Sequence, residues 1–139
     1  TARADRVERC ADQSLRIIDY KTGVVPSATM VENGARNQLL VEALIASEGG
    51  FDQVPAGAVS QIEYWQISGG RTQPGTIKPM HTNGFDSAKM RDSLEQLVAA
   101  YDDMSTCYLS EPVPSFVPPF RPYKHLARCR EWQIEADDD

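Results

Sequence analysis

The sequence predicts a mixed α/β domain of α+β character, in which helices flank a small β-sheet. Strand-like segments rich in β-branched residues alternate with segments whose apolar residues recur every three or four positions. The 139 residues suit a single domain that buries a core without disulfides. We therefore expect one domain over residues 1–139. Because the chain lacks an initiator Met and starts in a strand pattern, we expect it to be part of a longer protein.

A β-hairpin is predicted at the start of the chain. Its strands span residues 3–9 and 15–20, and the turn-forming sequence "ADQS" separates them. Ser27 is a suitable N-cap for a short helix that is interrupted at residues 33–36. The hairpin should form the first part of the sheet, and this helix should pack on the sheet.

A longer helix is predicted over Asn37–Glu48, and Gly49 and Gly50 follow it as a C-terminal stop. Gln38 lies on the same predicted face as Val41 and should point toward the sheet. The apolar stripe of the helix is predicted to comprise Leu40, Val41, Leu44 and Ile45.

Two more strands and a long helix complete the predicted domain. Residues 60–68 alternate as a strand, and the proline-containing residues 71–78 suit a returning edge strand. Residues 86–108 should form the longest helix. Residues 111–139 should form an extended Pro-rich and C-terminal segment. The long helix has an apolar stripe that we expect to belong to the core, formed by Met90, Leu94, Leu97, Tyr101 and Met104.

Charge and cysteine content narrow the functional classes. A net charge of −6 disfavours general polyanion binding, so DNA binding would require a local site. No apolar run has the length of a membrane span, and we expect no membrane partner. Cys10, Cys107 and Cys129 are odd in number and far apart, which suits a reducing cytoplasm. Their spacing predicts neither a zinc site nor an iron–sulfur cluster.

Charged residues at the end of the second strand form the candidate site. Side chains alternate along a strand, so Ile17, Asp19 and Lys21 share one face. If paired residue numbers sum to 24, Val7 lies opposite Ile17 and Asp5 lies opposite Asp19. This register leaves a three-residue loop, a common hairpin length. Two carboxylates and an ammonium group would then converge beside an apolar patch.

This convergence suits metal-dependent phosphodiester hydrolysis. Close carboxylates repel each other, and Mg²⁺ or Mn²⁺ relieves the repulsion by taking oxygen ligands from both. A neighbouring lysine can orient or deprotonate a water, or stabilise charge on a phosphoryl group. Asp5, Asp19 and Lys21 are therefore the candidate residues for such a site.

These residues resemble the RecB-like branch of the PD-(D/E)xK nuclease superfamily. The matching features are Asp5 in "ADR", Asp19 and Lys21 in "DYKTG", and Gln38 in "QLLVEALI". Over nearly the whole chain, "LRIIDYKTGVVPS", "ISGGR" and "YKHLARCREW" are most similar to the C-terminal nuclease domain of alphaproteobacterial AddB proteins. The resemblance implies a restriction-endonuclease-like fold and a role in double-strand break repair. It also implies DNA and an AddA-type helicase–nuclease subunit as partners.

The resemblance also implies roles for individual residues. Asp5 and Asp19 would bind Mg²⁺, with the carbonyl of Tyr20 as a third ligand. Lys21 would act on the attacking water or the scissile phosphate, and Gln38 would position Lys21, water or DNA. Where the RecB motif has a tyrosine, this chain has Glu42, whose role stays open between pairing, metal approach and a solvated glutamate.

Two other classes of function remain open on the sequence. A degenerate nuclease fold could bind DNA or scaffold a partner without catalysis. An unrelated α+β interaction domain would carry the same charges as weak, solvated surface pairs. The basic residues of "RPYKHLARCR" would contact DNA phosphates or, as we favour, dock on the parent protein or its partner subunit.

Overall fold

The computed structural model describes residues 2–32, 36–80, 85–109 and 122–128. Four strands form one sheet in the order β1-β2-β3-β4, in which β2 and β3 are parallel and the other pairs are antiparallel. The predicted mixed, restriction-endonuclease-like α/β fold is confirmed. The elements are β1 (Arg6–Arg9), β2 (Leu15–Lys21), α1 (Ala28–Glu32), α2 (Gln38–Ser47), β3 (Val59–Ile67), β4 (Gly75–Met80), α3 (Ser87–Asp102) and α4 (Lys124–Ala127).

The chain forms two compact units, residues 1–97 and 98–139. The first unit contains the sheet, α1, α2 and most of α3. In the second, α4 follows the tail of α3, and the rings of Tyr101 and Tyr108 lie 4.8 Å apart. Most of the predicted extended segment, residues 111–139, lies outside the described residues.

The hairpin has the predicted register. Val7 lies opposite Ile17, and Cys10 N–H donates to the Ser14 carbonyl at 2.8 Å, which closes a three-residue loop. The last loop residue, Gln13, has a φ of 69°, the left-handed conformation typical of such loops. β1 is shorter than the predicted strand over residues 3–9. It begins at Arg6 because the side chain of Asp5, rather than a backbone carbonyl, accepts the Tyr20 N–H.

The core lies between one face of the sheet and α2. Leu15 and Ile17 of β2 and Ile62 and Tyr64 of β3 are at most 1% exposed. Because β2 and β3 are parallel, the chain must cross over between them, and α1 and α2 lie in this crossover. Burying these side chains supplies most of the driving force for folding at about 25 cal/mol per Å² of apolar surface.

The predicted apolar stripe of α2 is wrong. Its four residues are only partly buried, and the buried face comprises Leu39, Glu42, Ala43 and Ala46. Because α2 is apolar on nearly all sides, its periodicity does not identify the inner face. Packing selects the face whose alanines allow the helix to approach the sheet closely.

The end of α2 is as predicted. Gly49 has a φ of 72°, Gly49 N–H donates to the Ala46 carbonyl, and Gly50 N–H donates to the Ile45 carbonyl. This is the Schellman arrangement, in which a left-handed residue satisfies the last carbonyls of a helix.

We expect Gly49→Ala to destabilise the protein by about 1–2 kcal/mol, because a β-carbon disfavours the left-handed conformation. The added carbon would also lie 3.1 Å from Ala56 N. Denaturant unfolding measures the loss. The matched control is Gly23→Ala, whose added carbon would meet nothing within 4 Å. Equal stability of the two variants would contradict this account of the helix end.

The second pair of strands and α3 depart from prediction in part. β4 is an edge strand, as predicted, but runs over Gly75–Met80 rather than 71–78.

Asp86 caps α3 by accepting the Ala88 N–H at 2.9 Å, yet the helix ends at Asp102 rather than at residue 108. No residue of α3 is buried, so the prediction that its stripe belongs to the core is wrong. An amphipathic pattern identifies an apolar face but not the element that covers it.

No helix within the described ranges is both long and apolar enough to span a membrane.

Candidate active site

The candidate site lies at the end of β2, where the strand leaves the core. Asp19 is on the buried face of β2 and is 1% exposed. Lys21, two residues later, is on the same face, and Gln38 is the first residue of α2. The strand end and the helix start thus bring the predicted residues together, as the alternation of β2 and the hairpin register require.

Asp19 is the centre of a hydrogen-bonded cluster. Lys21 Nζ lies 2.9 Å from Asp19 Oδ1 and 2.8 Å from Oδ2. Gln38 Nε2 donates to Asp19 Oδ1 at 3.0 Å and to Glu42 Oε1 at 3.1 Å. Lys21 Nζ also lies 3.4 Å from Gln38 Oε1. Gln38 is therefore a bridge between the two buried acids and the lysine.

Asp5 immediately precedes β1 and contacts the backbone of β2 next to Asp19. The residue is exposed, and its Oδ2 accepts the Tyr20 N–H at 3.0 Å. The Tyr20 side chain lies on the opposite face of the sheet, with its ring 5.8 Å from that of Trp65. The backbone of Tyr20, rather than its side chain, is therefore next to Asp5. The role of the Tyr20 carbonyl as a metal ligand stays a prediction.

Glu42 is a buried acid of the site whose importance the sequence left open. It is 5% exposed, and burial is the largest factor that raises the pKa of its carboxyl group. The hydrogen bond from Gln38 lowers that pKa, whereas the charges of Asp19 and Asp5 raise it. A single turn of α2 separates Glu42 from Gln38, so helical spacing alone places both on one side.

Tyr64 forms the floor of the site and was not predicted as a site residue. It lies beside Asp19 in the parallel register, and Lys21 Nζ is 5.8 Å from the centre of its ring. Burial, followed by the charges of Asp19 and Glu42, raises the pKa of Tyr64 to about 12. The phenol of Tyr64 is therefore neutral near pH 7, and the face of its ring attracts the ammonium group of Lys21. Alternation along a strand requires only that one of the neighbours Tyr64 and Trp65 faces inward, and it does not say which.

The donor atoms of the cluster suit a hard divalent cation. Among the described residues, Asp19 Oδ2 and Glu42 Oε2 are the buried side-chain oxygens without a hydrogen bond, although Asp19 Oδ2 faces Lys21. Within the same residues, no three His, Cys, Asp or Glu side chains converge closely enough to hold an ion by themselves. Mg²⁺ commonly needs only one or two carboxylates, since it retains several waters.

The structure describes only some of the histidines, cysteines and basic residues of the sequence. His81 and Cys129 lie outside the described residues, as do Arg121 and Arg130 of the basic segment. Cys10 and Cys107 are free thiols, and His125 is exposed on α4.

Comparisons with known proteins identify the family of the chain. An uncharacterized protein of Rickettsia typhi is 41% identical over 65 residues, which are 47% of this chain and 7% of that protein. One of Rickettsia conorii is 42% identical over 48 residues, which are 34% of this chain and 6% of that protein. The matched segments thus span less than a tenth of these relatives. No solved structure matches the chain significantly. The family profile of the PD-(D/E)XK nuclease superfamily matches residues 1–130, and the chain belongs to that superfamily.

Proposed function

We propose that the protein is a metal-dependent DNA nuclease domain, in which Asp5, Asp19, Lys21 and Gln38 are the catalytic residues. The observation that carries this proposal is the contact of Lys21 and Gln38 with the buried Asp19 at the end of β2. Membership of a nuclease superfamily supports the reaction class. The buried Glu42 Oε2, which has no hydrogen-bond partner among the described residues, supports the use of a cation near these acids.

The metal of the proposal is Mg²⁺, with Mn²⁺ as a substitute. Asp5 and Asp19 would hold it, together with the carbonyl of Tyr20. When bound, such an ion supplies Lewis-acid activation of water and neutralises charge on the phosphate.

The side chains have distinct proposed roles in the reaction. Lys21 donates from Nζ to the attacking water or to a nonbridging phosphate oxygen, where negative charge develops. Gln38 orients Asp19 through Nε2 and Lys21 through Oε1. The ring of Tyr64 shields the other side of Lys21 from water.

The wider role proposed is that of the nuclease domain of an AddB-type subunit. This subunit would act with an AddA-type helicase–nuclease in double-strand break repair, in the cytoplasm. The proposal rests on the resemblance of "LRIIDYKTGVVPS" and "YKHLARCREW" to AddB. The small share of each Rickettsia protein that is matched is also what a module within a long subunit would give.

We expect cleavage of linear DNA to require Mg²⁺, to stop when EDTA removes the metal, and to resume with Mn²⁺. Asp5→Asn should weaken cleavage strongly because it removes one of the two proposed anionic ligands. An assay with radiolabelled duplex and single-stranded DNA measures both effects. The matched control is Asp52→Asn, an exposed aspartate outside the site, which should cleave as the wild type does.

Cleavage that survives EDTA would contradict the proposal. Metal and DNA binding without any cleavage would instead favour a degenerate nuclease fold that binds DNA or scaffolds a partner.

A further inference from the structure

Glu42 has an environment that a structural glutamate does not need. Glu42 is 5% exposed, and its Oε2 has no hydrogen-bond partner among the described residues. A buried carboxylate oxygen without a partner costs free energy that a surface glutamate avoids. Such a cost is commonly retained where the group has a functional role.

Glu42 is also connected to the proposed metal-binding acid. Gln38 Nε2 donates to Glu42 Oε1 and to Asp19 Oδ1, so one amide group fixes the position of both carboxylates. The electrostatic influence of Asp19 and of Asp5 reaches Glu42. Lys21 contacts Asp19 and offsets one of the three negative charges. The remaining charge of the three acids matches that of one divalent cation.

We propose that Glu42 is a third acid of the metal site, whose Oε2 accepts a hydrogen bond from a water in the hydration shell of a divalent cation. This inference rests on the proposed function, because it takes Asp5 and Asp19 as the direct ligands. It assigns Glu42 to the hydration shell because no three acidic side chains among the described residues converge on one point. Mg²⁺ retains several waters, and acceptors for those waters tune its affinity.

The rival explanation is that Glu42 only anchors Gln38. In that case Oε1 alone matters, and a neutral acceptor would serve equally well. Glu42→Gln separates the two explanations because glutamine keeps an oxygen that can accept from Gln38 while it removes the charge. The nearly equal volume of the two side chains leaves the packing of α2 intact.

The test is a Mn²⁺ titration of the 139-residue chain, in which electron paramagnetic resonance counts the free ion. We expect Glu42→Gln to weaken Mn²⁺ binding by about 10- to 100-fold, the usual effect of losing an outer partner of a metal site. The matched control, Glu48→Gln, changes an exposed glutamate that pairs with Arg91 near the end of the same helix. It should bind Mn²⁺ as the wild type does.

A second readout is thermal unfolding. Without metal, Glu42→Gln should raise Tm by a few degrees, because it removes a buried charge near other acids. With Mn²⁺, the variant should gain less in Tm than the wild type. A Glu42 that merely anchors Gln38 would leave the gain in Tm caused by Mn²⁺ equal in the variant and the wild type.

The outcomes separate this inference from the proposed function. If Asp19→Asn loses Mn²⁺ binding while Glu42→Gln binds within twofold of the wild type, only the role of Glu42 is overturned. If the wild type and Asp19→Asn bind Mn²⁺ equally or not at all, both the metal site and the role of Glu42 are overturned.

Discussion

Asp19→Asn is expected to abolish Mg²⁺-dependent DNA cleavage and to weaken metal binding by more than about 100-fold. Loss of an outer partner costs about 10- to 100-fold, and loss of a direct ligand should cost more. Asparagine has the same shape but one formal charge fewer, so the proposed site keeps a single direct anionic ligand. Calorimetric titration with Mn²⁺ and a cleavage assay measure the two losses.

The Asp19 variant should remain folded. Asparagine retains an oxygen that can accept the hydrogen bond from Gln38, and the side chain of Lys21 is 30% exposed and can be solvated. Circular dichroism checks the fold, and Asp52→Asn again provides an exposed control. Cleavage by a folded Asp19→Asn at the wild-type rate would rule out Asp19 as a metal ligand.

Lys21→Ala should reduce cleavage by about 10²- to 10⁴-fold, the range typical of losing a general acid or base. Metal binding should be retained or become tighter, because Lys21 Nζ lies 2.8 Å from Asp19 Oδ2 and competes with a cation for that oxygen. A loss of cleavage without a loss of metal binding would distinguish Lys21 from the two aspartates, whose substitution should reduce both. Single-turnover cleavage at saturating Mg²⁺ measures the first effect, and Mn²⁺ titration measures the second.

The control for Lys21 is Lys89→Ala, which removes an exposed lysine from the first turn of α3. It should leave both cleavage and binding unchanged. If Lys21→Ala instead lost metal binding together with cleavage, the lysine would be a structural partner of Asp19 rather than a group that acts on the substrate.

The hairpin and its register were predictable because local rules determine them. Alternation along β2 and the three-residue loop together require Val7 to lie opposite Ile17. The inner face of α2 was not predictable in this way. Its apolar residues surround the helix, and tertiary packing selected Leu39, Ala43 and Ala46. Likewise, the stripe of α3 indicated an apolar face without indicating that the face would be covered.

The candidate site was predictable where short-range geometry brings residues together. Asp19 and Lys21 share a strand face, and the hairpin register adds Asp5. Whether Tyr64 lies in the site depends on which face of β3 meets α2. This follows only from the parallel pairing of β2 and β3. Glu42 could have been assigned from its helical spacing to Gln38, but its burial is a tertiary property.

The central claim is that the acids at the end of β2 bind a divalent metal ion. Paramagnetic broadening of amide NMR signals during a Mn²⁺ titration of the 139-residue chain tests it most directly. The account predicts broadening centred on Asp5, Tyr20 and Gln38, and its loss in Asp19→Asn. Broadening confined to the acidic residues 137–139 at the chain end, or unchanged by that substitution, would contradict it.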